Sequence, residues 1–500
     1  MSTRLGRAVS RLLGAFCLVL PALLSARPAL PPEVAQALQR ARVPEEALSV
    51  VIEEAGTGRS VLAWQEDRPV NPASLMKLVT TYAALDRFGP AWSWRTPVWL
   101  LGEVRDGVLE GSLVIRGSGD PTLVLERVWL MLRRVQQLGV REIRGDIVID
   151  SSAFELPDGN PGDFDGEALR PYNTRPDALL LNFKTVTFGF VPDAATGRAR
   201  VTQTPALAGA EVDRSVPLLP GPCSDWRTGL KAQFNPDGST RFTGGFPTAC
   251  GELAWPVADP QPRSYNARLL EGLWREMGGQ LTGRVREAAA PLDRAPNFEL
   301  VSPALAEVVR DINKHSNNVM AQHLFLTLGL EPTAPAAPAA TPAATLAATP
   351  GAVSGTPGRS TNLERARAAV MRWLDARAGA GAAGVVLGNG AGLSREGRIP
   401  AALMARLLQQ AWSSPVMPEL MSSLPVSGLD GTLRRAQMQA GRAHLKTGSL
   451  RDVSGLAGYV LSDSGRRYVL VAIVNHANAA AARPALDALV RWALNDAPTR

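Results

Sequence analysis

Between residues 91 and 264 the chain changes texture, and that change limits how the rest can fold. Short strand-like runs such as Leu113-Val114-Ile115 and Asp146-Ile147-Val148-Ile149-Asp150 alternate there with Gly, Pro and Asp turns. The flanks read differently. Residues 33–42 have helical spacing, and apolar runs at 48–53 and 60–64 flank Ala55-Gly56-Thr57-Gly58 as a hairpin. An apolar-periodic helix then begins at or beside Ser74 and stops before Gly89-Pro90. Helical patterning returns at 266–277, 303–329, 361–377 and 400–412, followed by strands near 452–462 and 467–475 and a terminal helix. The expected layout is α+β. Residues 27–90 and 265–500 form one split domain, an antiparallel sheet with helices on both sides, and 91–264 are one or two β-rich insertions.

Two segments stand outside that layout. Arg4, Arg7 and Arg11 precede the apolar run Leu12–Leu24, which is too short to span a bilayer, and small residues follow at Ser25 and Ala26. Residues 1–26 therefore read as a secretory signal peptide, with the mature protein in the periplasm. Residues 331–358, almost all Ala, Pro, Thr and Gly, cannot bury a core and read as a disordered insertion. With Cys17 in the leader, Cys223 and Cys250 remain, and an even pair in an exported chain reads as one disulfide. Closing that loop is worth about 3.5 kcal/mol by chain entropy. Two free buried thiols are the alternative.

Composition removes several function classes. The net charge of +7 falls to +4 once the three leader arginines leave, too mild for a nucleic-acid protein. No apolar run reaches the length of a membrane span, and the terminal stripe Leu486, Leu489, Val490, Trp492 and Ala493 reads as core, with peripheral membrane contact at most. The four histidines lack H-E-x-x-H spacing, so no metal is expected, and no G-x-S-x-G elbow appears.

The lysines point to the chemistry. Of 53 basic residues only five are lysine: Lys77, Lys184, Lys231, Lys314 and Lys446. Arginine serves wherever a permanent cation suffices, but it cannot give up its proton, so the lysines that remain are enriched in reactive roles. In Ser74-Leu75-Met76-Lys77 the two functional side chains share a helix face, and a desolvated amine beside other cations can take the serine proton. Lys314-His315-Ser316-Asn317-Asn318 contains an S-x-N and taken alone reads as a helix N-cap serving the run from Val319. Lys446-Thr447-Gly448-Ser449 precedes a strand and is expected about 0.02 times by chance. Its Gly448 admits a substrate backbone, and Lys446 and Thr447 offer a cation and a hydroxyl to a carboxylate.

S-x-x-K, S-x-N and K-T-G in this order, with a long gap before the second, resemble the class C low-molecular-mass penicillin-binding proteins, the D-alanyl-D-alanine carboxypeptidase/endopeptidase family. Also similar are Gly117-Ser118-Gly119-Asp120-Pro121, Tyr172-Asn173 through Leu180-Leu181-Asn182-Phe183, Asn389 to Arg395, and Leu424 to Leu433. The resemblance implies a penicillin-binding/β-lactamase-like transpeptidase domain and no cofactor. It implies peptidoglycan stem peptides as substrate and acylation by β-lactams. By the same resemblance Ser74 is the nucleophile and Lys77 its base, Ser316 relays the proton, and Asn318 holds Lys77 and the substrate amide. Lys446 and Thr447 bind the terminal carboxylate, with Gly448 beside them, and the Ser74 and Ser449 N–H groups form the oxyanion hole. Asp158, counted from Phe154, takes the place of an acidic residue that binds the free amine of a diaminopimelate side chain; a turn aspartate is the plain alternative. One cleft should place one serine hydroxyl against two amines. A serine β-lactamase and a non-catalytic cell-wall scaffold of the same fold are the competing readings.

Overall fold

The computed structural model describes residues 29–330 and 360–496. The expected leader at 1–26 and the Ala/Pro/Thr-rich stretch at 331–358 lie outside the described residues. The split unit is built on five antiparallel strands: β1 (Leu48–Glu54), β2 (Ser60–Trp64), β3 (Ala443–Leu450), β4 (Val453–Leu461) and β5 (Arg467–Asn475). They lie in the order β2-β1-β5-β4-β3, so both termini of the split unit meet at the central β1–β5 pair, Val51 opposite Val471.

β5 shows why this sheet needs cover on both faces. Side chains alternate along a strand, and its unbroken apolar run sends Val469, Val471 and Ile473 into one core and Leu470, Ala472 and Val474 into another. The first core is shared with α2 (Met76–Phe88), α3 (Leu305–His315), α4 (Asn318–Leu328), α5 (Leu363–Ala378) and α6 (Ala401–Trp412). The second is closed by α1 (Pro32–Arg40) and α7 (Arg483–Leu494). The terminal stripe Leu486, Leu489, Val490 and Ala493 is buried against the sheet. Among the described residues no helix is long and apolar enough to cross a membrane.

The inserted unit departs from its expected outline in two ways. Its sheet runs past residue 264: Gln280–Leu281, Val285–Glu287 and Phe298–Val301 pair with Glu142–Ile143, Ile147–Asp150 and Arg95–Arg105. The helix Tyr265–Glu276 buries Leu269, Leu270, Leu273 and Trp274 in the insertion's own core. The boundary drawn at 265 is thus corrected to a point after Val301, because strand pairing rather than helical texture decides where the unit closes. The segment also contains a helix, Leu125–Gln137, whose Val128, Met131, Leu132 and Val135 follow a helical period. Cys223 and Cys250 form a disulfide in this unit.

Candidate active site

Ser74 sits on the tight turn Ala73–Leu75 that feeds directly into α2. Ala73 has φ +47°, a left-handed conformation that costs an ordinary residue free energy and persists only when its surroundings over-determine it. Asn71 does that. Its Oδ1 accepts the Ala73 N–H at 2.9 Å, and its Nδ2 donates to the carbonyls of Ser394 and Arg395 at 3.0 and 3.2 Å. Asn475, the last residue of β5, closes the knot by accepting from Asn71 N at 2.7 Å and donating to Asn71 O at 2.9 Å. Two glycines let backbone approach the same turn. A Cβ on Gly392 would lie 1.8 Å from the Ala73 carbonyl oxygen, and one on Gly448 would lie 2.6 Å from that of Pro72.

One helical turn on, Lys77 is wholly buried. Its Nζ lies 3.0 Å from Ser74 Oγ, 2.7 Å from Asn318 Oδ1 and 2.6 Å from Ala391 O. Two of those partners can only accept. A neutral amine has two N–H donors and one lone pair, so with both donors used on Asn318 and Ala391 the lone pair faces the serine hydroxyl. The environment favours that neutral form: burial, and then the charge of nearby Lys446, hold the Lys77 amine well below its ordinary range.

The S-x-N stretch is divided between structure and site. Ser316 ends α3 in a left-handed conformation, φ 55°. Asn317 caps α4 by accepting the Met320 N–H at 3.1 Å, so the capping role falls to the middle residue. That leaves Ser316 and Asn318 for the cleft. Lys446, also fully buried, donates to Ser316 Oγ at 2.8 Å and to Thr447 O at 2.7 Å. Burial pulls its amine down to about 7. The expectation of one hydroxyl against both amines is corrected accordingly: each amine serves its own serine, Lys77 to Ser74 and Lys446 to Ser316. The charge of Lys446 adds to burial in lowering Lys77, whereas for Lys446 burial alone is the cause.

Thr447 Oγ1 donates to Thr432 Oγ1 at 2.9 Å on the exposed side of β3, and Ser449 is exposed two residues along the same edge. Asp158 is not drawn into the cluster. It is exposed and pairs with Arg263 at 3.0 Å. Two residues on, Asn160 helps line a cavity of about 190 Å³ with Asp163, Phe164, Asn173, Gln322 and Asn389. The cavity shares the 389–393 loop and α4 with the lysine site, and Arg395 covers the Phe164 ring at 5.1 Å. Among the described residues no group of three His, Cys, Asp or Glu side chains is placed to hold a metal ion. The residues that sequence reading passed over are Asn71, Asn475 and the carbonyl of Ala391. Isolated asparagines and a main-chain oxygen leave no spacing signal, although the loop bearing Ala391 stood out as a similar stretch.

Comparison with known proteins shows the family to which the chain is similar. The model of the D-Ala-D-Ala carboxypeptidase 3 (S13) family matches residues 30–352 and 351–496. A D-alanyl-D-alanine carboxypeptidase of Actinomadura sp. is 29% identical over 459 residues, covering 85% of this chain and 77% of that protein. The D-alanyl-D-alanine carboxypeptidase DacB of Haemophilus influenzae is 22% identical over 414 residues, covering 81% of this chain and 80% of that one. The crystal structure of penicillin binding protein 4 from Haemophilus influenzae superposes with a TM-score of 0.69 at 19% identity, covering 89% of this chain and 93% of that one.

Proposed function

The chain belongs to the D-Ala-D-Ala carboxypeptidase 3 family, and on that premise we propose that it is a serine D,D-peptidase of peptidoglycan whose acyl-enzyme forms on Ser74. It removes terminal D-Ala from stem peptides or cleaves D,D-crosslinks. The observation that carries this reading is the partner set of Lys77: two obligate acceptors and the Ser74 hydroxyl, within 3.0 Å of one buried amine.

Lys77 takes the Ser74 proton as Oγ attacks the penultimate D-Ala carbonyl. The oxyanion is received by the N–H groups of Ser74 and Ser449, at the positive end of α2. Each such donor is worth about 10²–10³ in rate in other enzymes. As the C–N bond breaks, Ser316 gives its proton to the leaving amine and recovers one from Lys446, whose bond to Ser316 Oγ leaves the serine's own proton free to go. Thr447 and Lys446 hold the carboxylate of the departing residue. Water then attacks the ester: its proton passes through Ser316 to Lys446, which the first half of the reaction left neutral, and Lys77 returns its proton to Ser74, so both amines regain their starting states. A β-lactam mimics the peptide and leaves Ser74 as a slowly hydrolysed ester.

Asp158 is assigned to the free amine of a diaminopimelate third residue. Arg263 is its present partner, and the substrate ammonium takes that place, two residues before Asn160 of the cavity wall. If Asp158→Asn keeps the wild-type preference for diaminopimelyl over simple peptides, this assignment is wrong. The substrate lies outside the cytoplasmic membrane, and the basic-then-apolar N-terminus directs the chain to the periplasm.

Labelled penicillin tests the main reading: it should attach covalently to the wild type and not to Ser74→Ala. Attachment to another residue, or none to a folded wild type, defeats it. Release of the label within seconds would point to a β-lactamase instead. Digestion of purified peptidoglycan then separates the carboxypeptidase from the endopeptidase activity.

A further inference from the structure

Lys314 stands two residues before Ser316, and the mechanism gives it no step. Its side chain is only 5% exposed, and its ammonium lies 2.6 Å from Asp430 Oδ2. The other oxygen of Asp430 accepts the Val426 N–H at 2.8 Å, which folds the 426–430 loop on itself. Gly431 follows with φ +54° and passes so close to the end of α3 that a Cβ there would lie 2.6 Å from the Lys314 carbonyl oxygen. Next comes Thr432, exposed, whose Oγ1 accepts from Thr447 Oγ1 at 2.9 Å. An ion pair and three consecutive residues thus join the helix end that carries Ser316 to the strand that carries Lys446 and Thr447.

We propose that Thr432 is a substrate-positioning residue for the C-terminal carboxylate, held in place by the Lys314–Asp430 pair. This rests on the peptidase reading above and extends it to a residue outside the three lysine motifs.

The chemistry follows from hydroxyl inventory. A threonine hydroxyl has one proton and two lone pairs. In the free site Thr447 donates its proton to Thr432. When a carboxylate arrives, Thr447 turns that proton to the anion, and Thr432 turns its own proton to Thr447 Oγ1. Only two hydroxyl rotors move. The result is a chain from Thr432 to Thr447 to carboxylate, in which each bond polarises the next and the last is charge-assisted. Without Thr432 the Thr447 hydroxyl has no fixed neighbour to set its direction, so part of the binding free energy goes into ordering it. The ion pair suits this role because it fixes register: Lys314 is buried while Asp430 is partly exposed, so removing Asp430 strands the lysine's charge under the loop.

The experiment compares two peptides with wild-type enzyme, one ending in D-Ala and one in D-alaninamide, and reads kcat and KM for each. Thr432→Val keeps the shape and removes the hydroxyl. Its ratio of kcat/KM for acid over amide should fall about tenfold, mainly through KM, and Thr432→Ser should restore it. Asp430→Asn, which cuts the strut, should lower the same ratio. If Thr432→Val fails to fold, Asp430→Asn decides. An unchanged ratio, or an equal loss on both peptides, overturns the proposal. A folded wild type that neither cleaves the acid peptide nor takes penicillin at Ser74 indicts the peptidase reading instead.

Discussion

Replacing Asn318 with aspartate puts a negative charge at one well-defined point in the site. Asn318 Oδ1 lies 2.7 Å from Lys77 Nζ, and Asp is nearly the same shape as Asn, so a carboxylate oxygen takes the place of the amide oxygen. Burial and the charge of Lys446 lower the wild-type Lys77 amine well below its ordinary range. An opposite charge within hydrogen-bond distance works the other way and favours the ammonium, moving the titration by about one to three pH units. Each unit corresponds to 1.36 kcal/mol, a factor of about ten in the fraction of free base. The rate of Ser74 acylation by labelled penicillin should therefore show its acid limb displaced upward by about one to three pH units in Asn318→Asp. At a pH on the wild-type limb the variant should be about 10- to 1,000-fold slower, and the gap should narrow as the pH rises. Asn318 also loses an amide donor, but that loss does not depend on pH, so it lowers the whole curve without moving the limb. A limb that stays where it was, or moves down, removes Lys77 from the role of base.

Two further perturbations test the scaffold around the site. Gly392→Ala drives a Cβ to 1.8 Å from the Ala73 carbonyl oxygen at φ +75°, so the Ser74 turn has to shift; acylation should drop at least about tenfold for a strain of roughly 1–3 kcal/mol. Gly465→Ala, at φ +88° with nothing within 4 Å, is the control, and equal acylation in both variants refutes the account of the turn. The buried Lys446 amine predicts a stability trend. Its folded value is lowered from 10.5 to about 7, so between those pH values the unfolded chain holds a proton that the folded chain lacks, and stability rises with pH. Lys446→Met removes the group. The variant's gain in melting temperature over wild type should be largest below about pH 7 and shrink toward pH 10.5; a gap that widens with pH contradicts the sign.

The site was legible to the extent that chemistry left a residue-type signature. Lys77 and Lys446 could be found because a chain that uses arginine almost everywhere keeps lysine where an amine must be able to lose its proton, while Ser316 came only from the family resemblance of its S-x-N element. The Ser74–Lys77 contact followed from helical spacing alone, since residues three apart share a face. The inserted unit shows the opposite case. Its texture revealed the strands, but the helix Leu125–Gln137 and the true end after Val301 were hidden, because a helix inside a strand-rich segment and a strand pair closed over more than a hundred residues are both long-range outcomes.

Local pattern and side-chain chemistry are written along the chain, so the α+β class, the β4–β5 pair and the three lysine motifs could be read from residues in order, whereas the K-T-G, expected just before a strand, lies inside one, β3. That Lys446 reaches Ser316 was decided only in three dimensions. So was the cage of Asn71, Asn475 and the Ala391 carbonyl around the Ser74 turn, and so was the bridge from Lys314 to Thr447. Those features depend on distances of a few ångströms between residues up to 404 positions apart, and a hydrogen bond is decided within a few tenths of an ångström. Periodicity does not carry information that fine; the packed sheet and its two cores do.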